Sequence, residues 1–237
     1  MDDFKRIGLE AGTDKIISHG YHRFFPQYIE QFRNKAGSML EIGIQECNSL
    51  TLWLEYFSQF KIYGIDIGVE KKGDRYEVFK CDQSKLNQLQ AVCASLQNRE
   101  PLYFINDDGS HIPEHQILTF NLFFDKLLQP GGVYIIEDIE TSYWVREHIY
   151  SYPTRYGYHN PKSCVEIFKY LVDDVNSYYM NETDKKEQEV TLSSYFSKET
   201  RSMIRSVTFV QNCIIIQKKT AEDYEYTRKP YHFLNRI

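Results

Sequence analysis

The sequence lacks the patterns that mark several large classes of protein. Its five cysteines are odd in number and include no C-x-x-C pair, which argues against a structural zinc site and a disulfide framework. This cysteine usage favours a reducing compartment, so we expect a cytoplasmic protein. No apolar run reaches the roughly 18 to 20 residues of a membrane span, and the polar start of the chain does not resemble a signal peptide.

Concentrated charge and phosphate-binding motifs are also missing. The formal net charge is −5 and the basic residues are scattered, so we expect no nucleic acid among the partners. Neither the G-x-G-x-x-G fingerprint nor a Walker A motif occurs, which argues against a loop that cradles phosphate. Aromatic residues are abundant, at 15% with 19 Tyr, and we expect most of them to pack in the core and some to line a pocket or interface.

Apolar segments of two periodicities alternate from residue 39 to residue 137. Short β-type runs separated by helix-compatible segments predict an α/β fold with a Rossmann-like, doubly wound, mostly parallel sheet. Two later runs flank Gln211-Asn212 and predict a C-terminal antiparallel hairpin. The predicted strands are 39–43, 61–66, 77–82, 101–106, 133–137, 207–210 and 213–217, and the predicted helices are 49–60, 85–96, 113–128 and 165–179.

We expect residues 1–237 to form a single domain, because this length and 42% hydrophobic residues suit one sizeable core. Residues 1–37 are predicted to be a polar, helical lead-in. Residues 140–162 are rich in Tyr, His and Pro and are predicted to be an irregular segment and a candidate substrate lid. The charged stretch 181–188 is predicted to be a solvated loop.

Acidic residues end two of the β-type runs. Asp107 and Asp108 follow one run, with His111 shortly after them, and Glu137 and Asp138 follow the next. Because open α/β sheets bind ligands at the carboxyl ends of their strands, we expect these side chains to converge. A hard divalent metal ion and a general base need carboxylates and an imidazole of this kind.

The earlier strands end in a glycine or an acid. Gly43 would let a ligand approach the backbone closely. Asp66, about 23 residues later, is placed to accept hydrogen bonds from ribose hydroxyls, and Asp82 to face an adenine ring. The alternatives are a helix-capping or turn acid at Asp66 and an ordinary loop acid at Asp82.

Five short motifs occur in order along the first part of the chain. They are Gly12-Thr-Asp-Lys15 with His19 and Tyr21, Glu41-Ile-Gly43, Asp82-Gln-Ser, Asp107-Asp-Gly-Ser-His111, and Gly-Gly-Val-Tyr-Ile-Ile-Glu-Asp138 with Thr141-Ser-Tyr-Trp144. Together they resemble class I S-adenosylmethionine (SAM) methyltransferases, and within them the metal-dependent sugar O-methyltransferases of macrolide and rhamnosyl-polyketide biosynthesis. The resemblance covers about residues 8–145. The chain departs from the family pattern at Cys47, where glycine is expected, and at Asn106, where an apolar residue or Asp is more usual.

The resemblance implies SAM and Mg²⁺ as cofactors and methylation of a sugar hydroxyl on a glycosylated natural product or a surface polysaccharide. It implies His111 as the general base, and a small-molecule or glycan substrate. The oligomeric state stays open, with a homo-oligomer among the alternatives. The implied metal ligands are Asp108, Glu137 and Asp138. The implied cofactor-binding residues are Glu41, Gly43, Asp66, Asp82, Gln83 and Asp107, the last more as a support than as a direct contact.

Several alternatives stay open. His115 is the rival general base, and residues 12–15 either close over the cofactor or substrate or cap a first helix. Tyr143 and Trp144 either stack on a sugar or pack in the protein. At the level of function, the alternatives are a metal-dependent hydroxylase on the same fold and a non-catalytic SAM-binding partner protein. A single well-placed histidine falls short of the two-His-one-carboxylate triad of iron hydroxylases.

Overall fold

One eight-stranded sheet organises the protein, whose computed structural model describes residues 3–145 and 155–227. In chain order the strands are β1 (Gly37–Ile42), β2 (Phe60–Asp66), β3 (Lys71–Lys72), β4 (Tyr76–Lys80), β5 (Leu102–Asp107), β6 (Leu128–Glu137), β7 (Ile204–Val210) and β8 (Cys213–Lys218). Their order across the sheet is β3-β4-β2-β1-β5-β6-β8-β7. The predicted α/β class, parallel sheet and closing hairpin are confirmed.

Helices cover the sheet and precede it. The α-helices of the described ranges are α1 (Asp3–Ala11), α2 (Asp14–Ile17), α3 (Pro26–Ile29), α4 (Asn48–Tyr56), α5 (Leu86–Leu96), α6 (Pro113–Lys126), α7 (Cys164–Val175), α8 (Glu182–Leu192), α9 (Lys198–Ser202) and α10 (Ala221–Thr227). Short 3₁₀ turns lie at Tyr21–Arg23, Glu30–Phe32, Ile139–Tyr143 and Ser177–Tyr179.

The strand order contains a topological switch between β1 and β5. Strands β1, β2 and β4 are parallel and extend to one side, whereas β5 and β6 are parallel to β1 and extend to the other. The loops after β1 and β5 therefore leave in opposite directions and open a crevice, which is where ligands bind in sheets of this type.

Apolar residues are buried on both faces of the sheet. All six residues of β1 are buried, as expected for a parallel strand with helices on both sides. One apolar cluster includes Leu89 of α5 and Phe120 of α6, and the other includes Trp53 of α4. The helical lead-in joins this second cluster, where the ring of Phe4 lies 5.8 Å from that of Trp53.

The charged stretch predicted to be a loop is the helix α8. Asn181 caps it by accepting hydrogen bonds from the backbone N–H groups of Thr183 and Asp184. An i,i+3 pair between Lys185 and Glu182 and the burial of Leu192 add support. With only this one residue buried, α8 has no apolar stripe for sequence periodicity to reveal. The prediction of a loop was wrong, although most of the stretch is exposed, as expected.

The closing hairpin turns at Gln211-Asn212, as predicted. Asn212 has a left-handed φ of 61°, a conformation that asparagine tolerates better than most residues. Within residues 3–145 and 155–227, no helix has the length and apolar character needed to span a bilayer.

A buried lysine of β8 caps the end of α6. Lys218 Nζ donates hydrogen bonds to the carbonyl oxygens of Phe124, Asp125 and Leu128 at 2.8, 3.1 and 2.8 Å. The last carbonyls of a helix have no partner within the helix, so this ammonium satisfies groups that would otherwise be orphaned.

We expect Lys218→Met to lower the free energy of unfolding by roughly 2 to 3 kcal/mol, because it leaves buried carbonyls without a donor. Burial lowers the pKa of Lys218 to about 8, so urea denaturation at pH 7 measures the protonated state. The neighbouring Lys219 donates only to the carbonyl of Ser202 at an exposed position, and Lys219→Met should cost less than about 0.5 kcal/mol. Equal losses in the two variants would contradict the capping role.

Candidate functional site

A cavity of about 640 Å³ lies at the carboxyl ends of the central parallel strands, in the range typical of small-molecule sites. Its wall is formed by the loops that follow β1, β2, β4, β5 and β6. The predicted site residues that line it are Gly43, Asp66, Asp82, Gln83, Asp108, His111 and Asp138. The other three predicted residues, Glu41, Asp107 and Glu137, are buried beneath the wall.

Gly43 stands where the loops of the topological switch meet. Its φ is 87°, and a Cβ at this position would collide with the backbone carbonyl of Asp108. Glycine is therefore required by the packing of one loop on the other as well as by the backbone angle. Cys47, at the position where glycine was expected, also has a left-handed φ, of 70°, which explains the preference for glycine there.

Asp66 holds the loop after β1 in place. One carboxylate oxygen accepts from the N–H groups of Ile44 and Gln45, at 3.0 and 2.9 Å, and the other from those of Gly68 and Val69. Burial alone would raise the pKa of Asp66, but these four donors outweigh it and lower the pKa. These hydrogen bonds are the ones expected of a turn acid, and the Asp66 side chain also lines the cavity. Ribose binding by Asp66 stays a prediction.

Asp82 and Gln83 lie on the same side of the cavity. Asp82 accepts from the N–H and Oγ of Ser84, which is the bonding expected of a loop acid; its contact with an adenine ring stays a prediction. Gln83 joins two loops, because its Nε2 donates to Asp107 Oδ1 at 2.9 Å and its Oε1 accepts from the N–H of Ser110 at 2.8 Å.

Glu41 and Asp107 are buried and do not line the cavity, which fits the supporting role predicted for Asp107; cofactor binding by either residue stays a prediction. Asp107 accepts from Gln83, Thr119 and Tyr134, and burial raises its pKa to about 6. Glu41 accepts from Ser49 Oγ at 2.7 Å beneath the loop after β1. The register pairs Glu41 with Asn106 and Asp107 with Ile42, so the two side chains lie on opposite faces of the sheet; both are buried because helices cover both faces.

One group of possible metal ligands lines the cavity, formed by Asp108, His111 and Asp138. Each offers one ligand atom, and these atoms lie within 4.8 Å of one another. His111 Nε2 is 3.7 Å from Asp138 Oδ2. His111 and Asp138 both have left-handed φ values, 55° and 52°, in a region that non-glycine residues rarely adopt. Such strain concentrates at functional sites, where the surrounding structure compels it.

Asp138 is oriented by residues from both ends of the chain. Its Oδ1 accepts from Tyr21 Oη at 2.6 Å and from Asn212 Nδ2 at 2.9 Å, and His19 Nδ1 lies 3.6 Å away. The carboxylate is therefore held by one oxygen while the other, Oδ2, faces His111. Tyr21 belonged to a recognised motif, but no sequence signal indicated that the hairpin turn at Asn212 reaches the site.

Lys15 inserts a buried ammonium beside the acids. Its Nζ lies 2.5 Å from Asp108 Oδ2, 2.9 and 3.0 Å from the two oxygens of Glu137, and 3.4 Å from Glu41 Oε1. Burial alone would lower the pKa of Lys15, but the three carboxylates raise it well above its usual range. Burial and Asp108 raise the pKa of Glu137; we take Lys15 and Glu137 as ionised because both Glu137 oxygens approach Nζ closely.

Asn106 joins the same buried network. Its Nδ2 donates to Glu137 Oε1 at 2.7 Å and approaches Glu41 Oε1 at 3.4 Å. An apolar residue at this position could not donate that hydrogen bond to Glu137. The departure from the family pattern at Asn106 therefore adds a donor to the buried network.

His115 occupies another part of the cavity wall. Its Nδ1 lies 2.8 Å from Ser110 Oγ, and burial lowers its pKa. It is not a member of the group formed by Asp108, His111 and Asp138. Of these two histidines, His111 is therefore the one that lies beside Asp108 and Asp138.

Two aromatic residues of the segment after β6 lie outside the wall of the cavity, and the candidate lid stays a prediction. Tyr143 is exposed and does not line it, and neither does Trp144. Residues 146–154 of the candidate lid lie outside the described residues. Thr13 caps α2, as the capping alternative for residues 12–15 predicted, while Gly12, Thr13 and Asp14 also line the cavity.

Sequence comparison finds relatives with named activities. The chain is 33% identical over 147 residues to 8-demethyl-8-alpha-L-rhamnosyl tetracenomycin-C 2'-O-methyltransferase of Streptomyces olivaceus, covering 58% of this chain and 38% of that protein. It is 30% identical over 185 residues to mycinamicin VI 2''-O-methyltransferase of Micromonospora griseorubida, covering 73% of this chain and 44% of that protein. The chain thus spans less than half the length of these relatives. No family model matches it.

Structure comparison agrees on the fold. A solved structure of the MycE methyltransferase from the mycinamycin biosynthetic pathway, in complex with Mg, SAH and mycinamycin VI, matches with a TM-score of 0.75 at 22% identity. The match covers 92% of this chain and 54% of that one. The eight-stranded sheet, with its closing antiparallel hairpin, is the fold of the class I SAM-dependent methyltransferases.

Proposed function

We propose that this chain, which has the class I methyltransferase fold and is similar to sugar O-methyltransferases of polyketide glycoside pathways, is a SAM- and Mg²⁺-dependent sugar O-methyltransferase. The observation that carries the proposal is the group of Asp108, His111 and Asp138 in the cavity at the topological switch. The acceptor is a hydroxyl on the sugar of a glycosylated natural product or a surface polysaccharide.

The cofactor half of the cavity is the side of β1, β2 and β4. Gly43, Asp66, Asp82 and Gln83 line this side and would surround SAM. The loop after β1 is held rigidly by Asp66, so its backbone is preorganised for a ligand. Glu41 and Asp107 would act on the cofactor only through the loops that they support.

The donor set fits a hard divalent cation. Asp108 and Asp138 bring carboxylate oxygens to one side of the cavity, and Mg²⁺ binds through one or two carboxylates, with water and substrate oxygens completing its shell. Glu137 is the third proposed ligand, and its carboxylate would be shared with Lys15. Cysteine, which would favour a softer metal, is not among these residues.

The chemical problem is the sugar hydroxyl, which is a poor nucleophile because its pKa lies far above 7. When bound, SAM supplies an activated methyl group and Mg²⁺ lowers the pKa of the hydroxyl. His111 takes the hydroxyl proton as the methyl group is transferred. Asp138 Oδ2, which is also the oxygen proposed to bind the metal, lies 3.7 Å from His111 Nε2, and its negative charge favours the imidazolium that results. The walls around Gly43 and Asp108 hold the reacting groups in line.

We expect methyl transfer to a panel of macrolide and polyketide glycosides to fall at least about 100-fold in EDTA and to recover when Mg²⁺ is added in excess. Methyl transfer from labelled SAM measures the reaction, and acceptors with the sugar hydroxyls already methylated are the control. Full activity in EDTA would contradict the metal requirement. SAM binding by calorimetry without turnover on any acceptor would instead favour a non-catalytic SAM-binding protein.

A further inference from the structure

Lys15 is the least expected member of the site. Its side chain is 0% exposed, although lysine is almost never fully buried unless it is paired. The ammonium comes from the short helix α2 of the lead-in, whereas its acidic neighbours belong to β1, β6 and the loop after β5. Burying an ammonium is costly, and only close carboxylates offset that cost.

Lys15 is buried beside the cavity without lining it. Asp108 and Asp138 do line the cavity. The ammonium binds one oxygen of Asp108, Oδ2, and also both oxygens of Glu137. Asp108 is thus held by one oxygen, in the same way as Tyr21 and Asn212 hold Asp138.

We propose that Lys15 is a positioning residue for the metal site, a built-in cation that holds Asp108 and offsets part of the acidic charge felt by a divalent ion. The inference rests on the proposed function, because it assumes that Asp108 and Asp138 bind Mg²⁺. Lys15 has two opposing effects on metal affinity, and we expect the electrostatic one to be larger. The ammonium holds Asp108 in place, but its charge, 2.5 Å from Asp108 Oδ2, repels the divalent ion and weakens its binding. A purely structural lysine would have only an indirect effect on metal affinity.

The test is metal binding by Lys15→Met, measured by calorimetry with Mg²⁺ and Mn²⁺ in the absence of SAM and acceptor. Removing one positive charge next to Asp108 is expected to lower the Kd for each metal at least about tenfold. In EDTA the variant should melt at a lower temperature than the wild type, and metal should raise its Tm by more than it raises that of the wild type.

The matched control is Lys218→Met, which also removes a buried ammonium. That ammonium is bonded to backbone carbonyls and not to Asp108, Glu137 or Glu41. It should lower the Tm without changing the Kd for Mg²⁺ or Mn²⁺. A Kd unchanged in Lys15→Met, or metal binding lost altogether, would overturn the role of Lys15. If the wild type itself binds neither metal, the proposed function fails instead.

Two further variants keep the test decisive if Lys15→Met does not fold. Lys15→Gln retains a donor for Asp108 and should also tighten metal binding. Glu41→Gln retains the shape of a side chain that does not line the cavity, and it should weaken binding because one acidic charge is removed. Changes of the same sign in Lys15→Gln and Glu41→Gln would contradict the electrostatic role.

Discussion

His111→Ala is expected to lower methyl transfer by about 10²- to 10⁴-fold while SAM binding is retained. His111 lines the cavity beside Asp108 and Asp138, whereas the proposed SAM contacts lie on the side of β1, β2 and β4. Loss of the base therefore removes proton transfer and leaves the cofactor half intact. Single-turnover methyl transfer measures the first effect and calorimetry with SAM the second.

The backbone at this position requires a second variant. His111 has a φ of 55°, which alanine adopts less readily than histidine or asparagine. His111→Asn keeps that conformation acceptable and should show the same loss of turnover, which separates the chemistry from backbone strain. His115→Gln changes the rival histidine and should retain turnover within about tenfold of the wild type. A larger loss in His115→Gln than in His111→Asn would make His115 the base.

Asp138→Asn is expected to raise the Kd for Mg²⁺ at least 10- to 100-fold, a range on the order of that seen when the shell of a metal site is altered. Tyr21 and Asn212 both donate to Oδ1, so the amide oxygen of the new asparagine must face them. Its NH₂ group then points toward His111 and the cavity, where it cannot bind a cation. Turnover at low Mg²⁺ should fall with the metal affinity.

The substitution should leave the fold intact, since asparagine suits the left-handed φ of 52° at this position. We expect the free energy of unfolding in EDTA to change by less than about 1 kcal/mol. Asp173→Asn, at an exposed position of α7, is the matched control and should leave both the Kd for Mg²⁺ and turnover unchanged. Wild-type metal affinity in Asp138→Asn would remove Asp138 from the proposed ligands.

The strands and the closing hairpin were predictable because their apolar pattern is local. A buried strand such as β1 is apolar along nearly its whole length, and the turn at Gln211-Asn212 has its own preferred residues. The helix α8 was missed because its stability depends on a cap, surface ion pairs and one buried leucine, none of which creates a periodic apolar pattern.

The candidate site was predictable in part for the same reason. Strand ends carry their acids in sequence, so convergence of Asp108, His111 and Asp138 followed from the topology expected of a parallel sheet. The sequence did not predict the direction in which each of these side chains points. Glu41, Asp107 and Glu137 turn inward, and their partners Ser49, Thr119 and Lys15 were not predicted.

By itself, the sequence determined the α/β sheet, its hairpin and the edge of the sheet at which carboxylates and an imidazole gather, since periodicity and strand ends are local properties. Only the tertiary structure decided that the buried Lys15 contacts Asp108, which is 93 positions later in the chain. It also decided that Tyr21 and Asn212 both donate hydrogen bonds to Asp138. These contacts join segments that are distant in sequence. The burial that strengthens the interactions between their charges exists only after those segments pack together.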